Sequence, residues 1–324
     1  MKLLWILVAL HLASCARQPE RPDDPPQAQI APASSSFSAQ DLLGAGQAYN
    51  ARGESLKASR VLGESLAKDP NQPEAHYQLG LALSRLKKPK EANQAFLQAH
   101  QMDPAHAGAA LMLGMAHDLA GRPQEAHQVY QDALKHHPGH PDLLHELGNT
   151  QLMLGQSSKA AETLEKAREQ NPSDPDLLGD LGYAYLVGGH AKQALKILAL
   201  AQKRAPERAD IALNLGRAHL AVGSPAGAGA AFEHLVKLKP DDPVSWIHLA
   251  LARLREKRLV QAEKAARQAV KLAPKHARAH FLLGVSLDAQ GKRKAARGAM
   301  QKVLSIDSGF GPAQKWIKQD RRRK

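Results

Sequence analysis

Between Pro73 and Pro104 the apolar positions fall into two short stripes. Leu79, Leu83 and Leu86 recur at helical spacing, and Ala92, Phe96 and Ala99 follow at i, i+4 and i+7. The run Leu86-Lys87-Lys88-Pro89 separates them, so the stretch predicts two short amphipathic helices joined by a tight turn. The pattern returns every thirty-four residues. Gly80, Gly114, Gly148, Gly182, Gly216, Ala250 and Gly284 form one ladder, which extends back to Gly46. Ala58, Ala92, Ala126, Ala160, Ala194, Ala228, Ala262 and Ala296 form a second. Gly53, Gly121, Gly155, Gly189, Gly223 and Gly291 occupy the breaks between stripes and suit the left-handed residue that ends a helix. Pro70, Pro104, Pro138, Pro172, Pro206, Pro240 and Pro274 stop the second helix of each unit.

A fixed period of this length predicts an all-α solenoid of stacked helical hairpins. The frame runs eight times: 39–72, 73–106, 107–140, 141–174, 175–208, 209–242, 243–276 and 277–310. Residues 311–324 follow as a capping helix, with Trp316 and Ile317 covering the open end and a basic tail from Arg321 to Lys324. Glycine inside a helix costs about 1 kcal/mol relative to alanine, so the glycine ladder needs a packing reason. The expected reason is close approach of the partner helix at the small residues of the Ala92 series. Departures are few. The first unit has Ala45 and Ser65, the last has Ser308 in place of proline, and Gly227 and Gly229 predict a soft spot in the sixth.

Leu-Gly in the first helix, then Ala, a large apolar residue, Ala and Pro in the second, resembles the tetratricopeptide repeat family across residues 39–310. The resemblance implies a right-handed superhelix whose first helices line a concave wall. That wall would present Tyr77, Leu81, Leu111, Met115, His145, Asn149, Tyr183, Arg217, Ile247, Leu251 and Phe281. Such a lining suits an amphipathic helix or an extended peptide. The family's two-carboxylate clamp needs Lys and Asn at set groove positions. Leu43, Tyr77, Leu111, His145 and Leu213 stand where its first lysine would be, which argues against that subclass.

Charge divides the chain. Residues 39–174 carry 13 Lys/Arg against 16 Asp/Glu, and residues 175–324 carry 28 against 12. Arg253, Arg255, Lys257 and Arg258 around one turn, with Lys292, Arg293 and Lys294 around the next, predict a surface for an anionic partner. An acidic envelope protein, anionic lipid head groups or wall polymer fit this end better than nucleic acid, because of how the chain begins.

Met1-Lys2, an apolar run from Leu3 to Leu12, and Leu12-Ala13-Ser14-Cys15 have the proportions of a signal peptide, too short to span a bilayer as a mature helix. The Leu-Ala-Ser-Cys end resembles the lipobox of bacterial lipoproteins. It implies a signal peptide over 1–14, cleavage before Cys15 and acylation of this only cysteine. Ordinary cleavage after Ala16 is the competing reading. Residues 16–38 have the Pro/Ser/Gln-rich composition of a linker, so that residues 15–38 would form a lipidated tether. Ala16 after the cysteine favours, by family rule, an outer-membrane anchor facing the periplasm of a bacterium with two membranes.

No nucleophile, base and orienting group share a readable motif, which points away from an enzyme. Gly223 to Gly229 lacks the Gly-Lys-Ser/Thr ending of a phosphate loop and falls on an inter-helix turn. His136, His137, His140 and His145 straddle the joint between two units without a nearby cysteine, so neither a metal nor a cofactor is expected. Their expected role is favourable charge at a helix C-terminus. The layout predicts a lipid-anchored scaffold for other proteins in envelope assembly, similar in plan to the pilotins of secretin rings and to the repeat lipoproteins of tight-adherence pili. A periplasmic adaptor holding client chains, as in cytochrome maturation, and a cell-wall module using the basic end are the alternatives.

Overall fold

The computed structural model describes residues 37–322, and among them it contains seventeen α-helices and no strand. The signal segment, Cys15, the linker up to residue 36, Arg323 and Lys324 lie outside the described residues. Contacts divide the chain into two compact units, one ending at Pro138 and the other beginning at Gly139. The first unit holds three hairpins: α1 (Ala39–Ala51) with α2 (Ser55–Lys68), α3 (Pro73–Arg85) with α4 (Pro89–Met102), and α5 (Ala107–Leu119) with α6 (Pro123–His136). The second holds five: α7 (Pro141–Met153) with α8 (Ser157–Gln170), α9 (Pro175–Val187) with α10 (Ala191–Arg204), α11 (Ala209–Ala221) with α12 (Pro225–Leu238), α13 (Pro243–Arg255) with α14 (Leu259–Leu272), and α15 (Ala277–Ala289) with α16 (Arg293–Ile306). A single helix, α17 (Gly311–Arg322), closes the second unit.

Local chemistry sets these boundaries. Each first helix ends on a residue with positive φ, between 71° and 81° at the six glycines. Two repeats place lysine there instead, Lys87 at 58° and Lys257 at 61°. An L side chain at such a φ crowds its own backbone, so these two turns carry strain that the glycine turns avoid. Seven of the eight second helices stop two residues before a proline, because the residue ahead of proline is pushed out of the α region; α16 stops at the same register before Ser308. Asp69, Asp103 and Ala273, with φ near −140°, are examples. At the opposite ends, Asp174 and Asp242 accept backbone N–H groups at the starts of α9 and α13.

The glycine ladder has a different packing partner from the one its spacing suggests. A Cβ at Gly80 would strike the Phe96 ring, and one at Gly148 the Leu164 side chain. Gly46, Gly114, Gly182, Gly216 and Gly284 likewise face Leu62, Tyr130, Leu198, Phe232 and Met300. Each glycine therefore accommodates a large side chain sixteen residues later, not a member of the Ala92 series. In the seventh repeat Ala250 replaces the glycine, and its counterpart sixteen residues on shrinks to Ala266; both are fully buried. The alanine ladder, from Ala58 to Ala296, is buried at 0% exposure in all eight repeats. It packs as a separate small-residue row.

Gly227 and Gly229 do not interrupt α12. A Cβ at Gly227 would meet the His219 ring, and one at Gly229 would meet Arg253 and Glu256. These glycines leave room for polar groups of neighbouring helices, and the expected soft spot is a closely packed one. At the C-terminal end α17 keeps the repeat register. Ala313 is buried beside Met300 and Val303, with Trp316 and Ile317 packed over them. Lys318 stands on the next rung of the glycine ladder and is exposed. A charge there suits a helix whose outer face meets water.

Candidate binding grooves

Within each unit the first helices of successive repeats approach one another, as α1 with α3, α7 with α9, α9 with α11 and α13 with α15. No pair of second helices approaches to the same extent. The first helices therefore form the tighter, inner side of each stack. The sequence-predicted lining residues all lie on first helices, but they divide into three kinds.

Ile247, at 3% exposure, belongs to the buried cluster around Phe232 and is not available to a ligand. Its side chain is taken up by the packing of α13 on its neighbours. Leu251 packs partly against the same cluster. Phe281 packs against Phe310 with ring centres 5.1 Å apart and the rings tilted by 47°, in the cluster beneath the cap. Tyr77 sits 4.7 Å from the His106 ring, where Gly108 leaves it space, and Leu81 packs over Phe96. These four serve inter-helix packing and offer only part of their surface.

The second kind is polar and tied down. His145 Nε2 lies 2.9 Å from Asp180 Oδ2, joining the first helices of two repeats. Burial alone would lower the basicity of this imidazole. Asp180, helped by Glu146 and Asp174, outweighs that and holds His145 above the ordinary histidine value. A related link in the first unit joins His106 to Glu74 at 2.9 Å, with Gln47 and Gln78 donating to the same carboxylate.

The third kind is open. Tyr183 and Arg217 are exposed, with Arg217 Nη1 donating to Asn214 at 3.3 Å, and Leu111, Met115 and Asn149 are half-buried. Two residues not anticipated from sequence join them. Met153 at 41% and Val187 at 50% exposure are the equivalent thirteenth residues of α7 and α9, and Val187 lies one helical turn beyond Tyr183. The signal was available as an apolar residue recurring at a position where Arg85 and Arg255 stand in other repeats.

Four of the seven cations of the proposed anionic-partner patch are held in ion pairs. Arg253 is buried against Glu233 and Glu256, and Arg258 pairs with Glu256 at 3.1 Å. Lys292 reaches the buried Glu263 at 2.9 Å and holds its carboxyl below the usual range. Arg293 and Arg297 hold the buried Asp320 of α17 at 2.7 and 2.5 Å. Only Arg255, Lys257 and Lys294 of the seven lack an ion pair among the described residues. The physical reason is that a buried carboxylate must be paired, and these cations pair it.

The histidines are also employed locally. His137 Nε2 lies 2.6 Å from the Ala105 carbonyl, and His140 Nδ1 accepts from the backbone of Leu143 at the start of α7. His140 is the N-cap of α7, so it does not stand at the helix C-terminus where its role was expected. Among the described residues no group of three metal-ligating side chains converges. Gly223 forms the turn before α12, whereas Pro225 to Gly229 are already helical. No described helix is long and apolar enough to cross a membrane.

Stacked antiparallel hairpins with open inner faces define a helical-repeat interaction module. Family models of the tetratricopeptide repeat match residues 43–107, 77–141, 119–179, 158–212 and 247–309. The chain belongs to the tetratricopeptide repeat family, and as such it is a scaffold for protein–protein interaction. Similar solved structures include YrrB, described as a TPR protein with an unusual peptide-binding site, at 20% identity and TM-score 0.53, covering 58% of this chain and 97% of that one. A tetratricopeptide repeat protein from Parabacteroides merdae shares 17% identity at TM-score 0.53, covering 76% of this chain and 98% of that one. The Cut9–Hcn1 hetero-tetramer of the APC/C shares 20% identity at TM-score 0.55, covering 80% of this chain and 50% of that one. These likenesses show the fold. No curated protein sequence matches the chain.

Proposed function

We propose that this protein is a lipid-anchored scaffold of the bacterial envelope, held at the outer membrane through Cys15 and binding a partner protein on the inner face of its second unit. The observation that carries the binding part is the exposed apolar set Met153, Tyr183 and Val187 on α7 and α9, with Asp180 one turn before Tyr183 on α9 and Arg217 at the equivalent position of α11. An amphipathic helix or extended segment would cover the apolar side chains and use the charges to fix its register. Tyrosine at the centre of such a patch is a common source of binding energy. The anchoring part is supported by the order Met1-Lys2, apolar run, Leu12-Ala13-Ser14-Cys15 and a Pro/Ser-rich linker. Assembly of a pilus or secretin is the envelope task whose known helpers share this plan.

The experiment is capture from solubilised outer membrane with the intact chain and with Tyr183→Ala/Val187→Ser. Recovery of a secretin or pilus component by the first and its loss with the second supports the reading. Equal recovery by both counts against the groove. The anchor is tested by labelling with a palmitate analogue, which Cys15→Ala should abolish.

A further inference from the structure

The positive charge of the second unit is segregated to one side. Its first outer-facing second helix, α8, is balanced at three Lys/Arg and three Glu, but those that follow, α10, α12, α14 and α16, carry twelve Lys/Arg against two Glu, whereas the inner-facing α9, α11, α13 and α15 carry four of each sign. Both glutamates are already engaged, Glu233 by Arg253 and Glu263 by Lys292 and Arg267. Nine of the twelve cations are exposed and have no carboxylate partner among the described residues. The exposed carboxylates Glu207, Asp241 and Asp307 lie in the turns beyond these helices.

The cations recur with the repeat. Lys203, Lys237 and Lys271 are thirty-four residues apart, in the last turns of α10, α12 and α14. Lys196 and Lys264 occupy equivalent positions two turns earlier, and Lys302 extends the field onto α16. The field therefore spreads along the helices as well as across them. Helix stability explains only part of it. Lysines in a last turn complement the helix dipole, but Lys192 and Lys294 lie in first turns, where a cation is disfavoured and no acidic residue offsets it.

From this distribution we infer that the outer face formed by α10, α12, α14 and α16 docks on an anionic lipid bilayer surface. A surface, unlike a single polymer strand, engages charges spread in two directions. Lysine is depleted from protein interfaces, and the one exposed large apolar side chain on these helices is Val260. No exposed aromatic is there to stack on nucleic-acid bases. What remains is a field of hydrated ammonium groups, which reads charge density and little else. The inference draws on the envelope reading only for the presence of a bilayer. It leaves the inner face free for a protein.

The test is sedimentation of the full chain carrying Cys15→Ser with vesicles of phosphatidylcholine, or of phosphatidylcholine doped with phosphatidylglycerol. The apolar N-terminal run would partition into both, so only the charge-dependent difference counts. Stronger sedimentation on the anionic vesicles, weakened by salt and falling about fivefold for each of Lys196, Lys203, Lys237, Lys264, Lys271 and Lys302 changed to Gln, is the expected result. Arg255→Gln/Lys257→Gln, at the end of the inner-facing α13 and in the turn after it, should leave binding within about twofold. Equal sedimentation on both vesicles, or anionic binding that the lysine variants do not reduce, overturns the inference, as does binding to soluble polyphosphate without binding to vesicles. Circular dichroism of the variants checks that they remain folded. Failure of the anchor reading would show separately, as absent palmitate label on the native chain.

Discussion

Gly80 faces the ring of Phe96 so closely that a methyl group added to the glycine would lie within 3 Å of three ring carbons. The fold thus uses the missing side chain of one helix to admit a large one from its partner. Gly80→Ala should destabilise the first unit despite a helix-propensity gain of about 1 kcal/mol, because overpacking costs about 1–3 kcal/mol. Phe96→Ala removes a buried ring and should cost about 3–5 kcal/mol. In the double variant the methyl no longer meets a ring, as in the Ala250 and Ala266 repeat, so its loss should be smaller than the sum of the two. Denaturant melts of the four chains give the coupling, and strict additivity would disprove the pairing.

Ala160, on the other ladder, is fully buried. Ala160→Leu should overpack the hairpin of α7 and α8 by about 1–3 kcal/mol. A variant melting within about a degree of the parent would show that the small-residue row is not required there.

Lys257 and Lys87 hold the positive φ that six other repeats give to glycine. Replacing either by glycine relieves a left-handed cost of roughly 1–2 kcal/mol, less the extra freedom glycine gains on unfolding. Lys257→Gly and Lys87→Gly should each raise stability by about 0.5–1 kcal/mol, and Gly189→Ala should lower it by a similar amount. Thermal melts decide the sign.

The repeat frame was legible because identity recurs at thirty-four residues, and helix starts follow it without drift from Ala39 to Gly311. The partner of the glycine ladder was harder to see. The rung sixteen residues on holds Leu62, Phe96, Tyr130, Leu164, Leu198, Phe232, Ala266 and Met300, which share size and not identity. Pattern reading finds letters before volumes. The ion pairs within the basic patch were hidden for another reason. Arg253 is paired with Glu233, twenty residues earlier on another hairpin, and Arg293 with Asp320, and no local rule links such positions. Met153 and Val187 were missed because an exposed apolar residue looks, in sequence, like any core residue of an amphipathic helix.

His145 makes the second unit's stability depend on pH. Its folded basicity is raised above the unfolded value by Asp180, so its contribution is complete below about pH 6.5 and lost as pH rises through the folded value. His145→Gln should therefore melt below the parent by a wider margin at about pH 5 than at about pH 9. His219 and His248, both lowered by burial, act in the opposite sense on total stability. They are present in both chains, and the difference between the two melts isolates His145. A margin that does not change with pH would remove the charged pair from the account.

One substitution should have opposite consequences at two glycines of the second unit. Gly298 lies inside α16 with nothing within 4 Å of an added Cβ, so Gly298→Ala gains helix propensity and should stabilise by about 0.5–1 kcal/mol. Gly229 lies inside α12, where the same methyl would intrude on Arg253 and Glu256, both only 5% exposed at the side chain. The side-chain ends can shift, but only by loosening a buried ion pair that also holds Glu233. Overpacking of about 1–3 kcal/mol then exceeds the propensity gain, so Gly229→Ala should be destabilising. Adding Arg253→Met and Glu256→Met, which empties the pair of charge, should reduce the penalty of the methyl. The ordering of the melts, Gly298→Ala above the parent and Gly229→Ala below it, separates packing against charge from helix propensity. If both variants rose together, glycine at 229 would be a local accident and the buried pair would not depend on it.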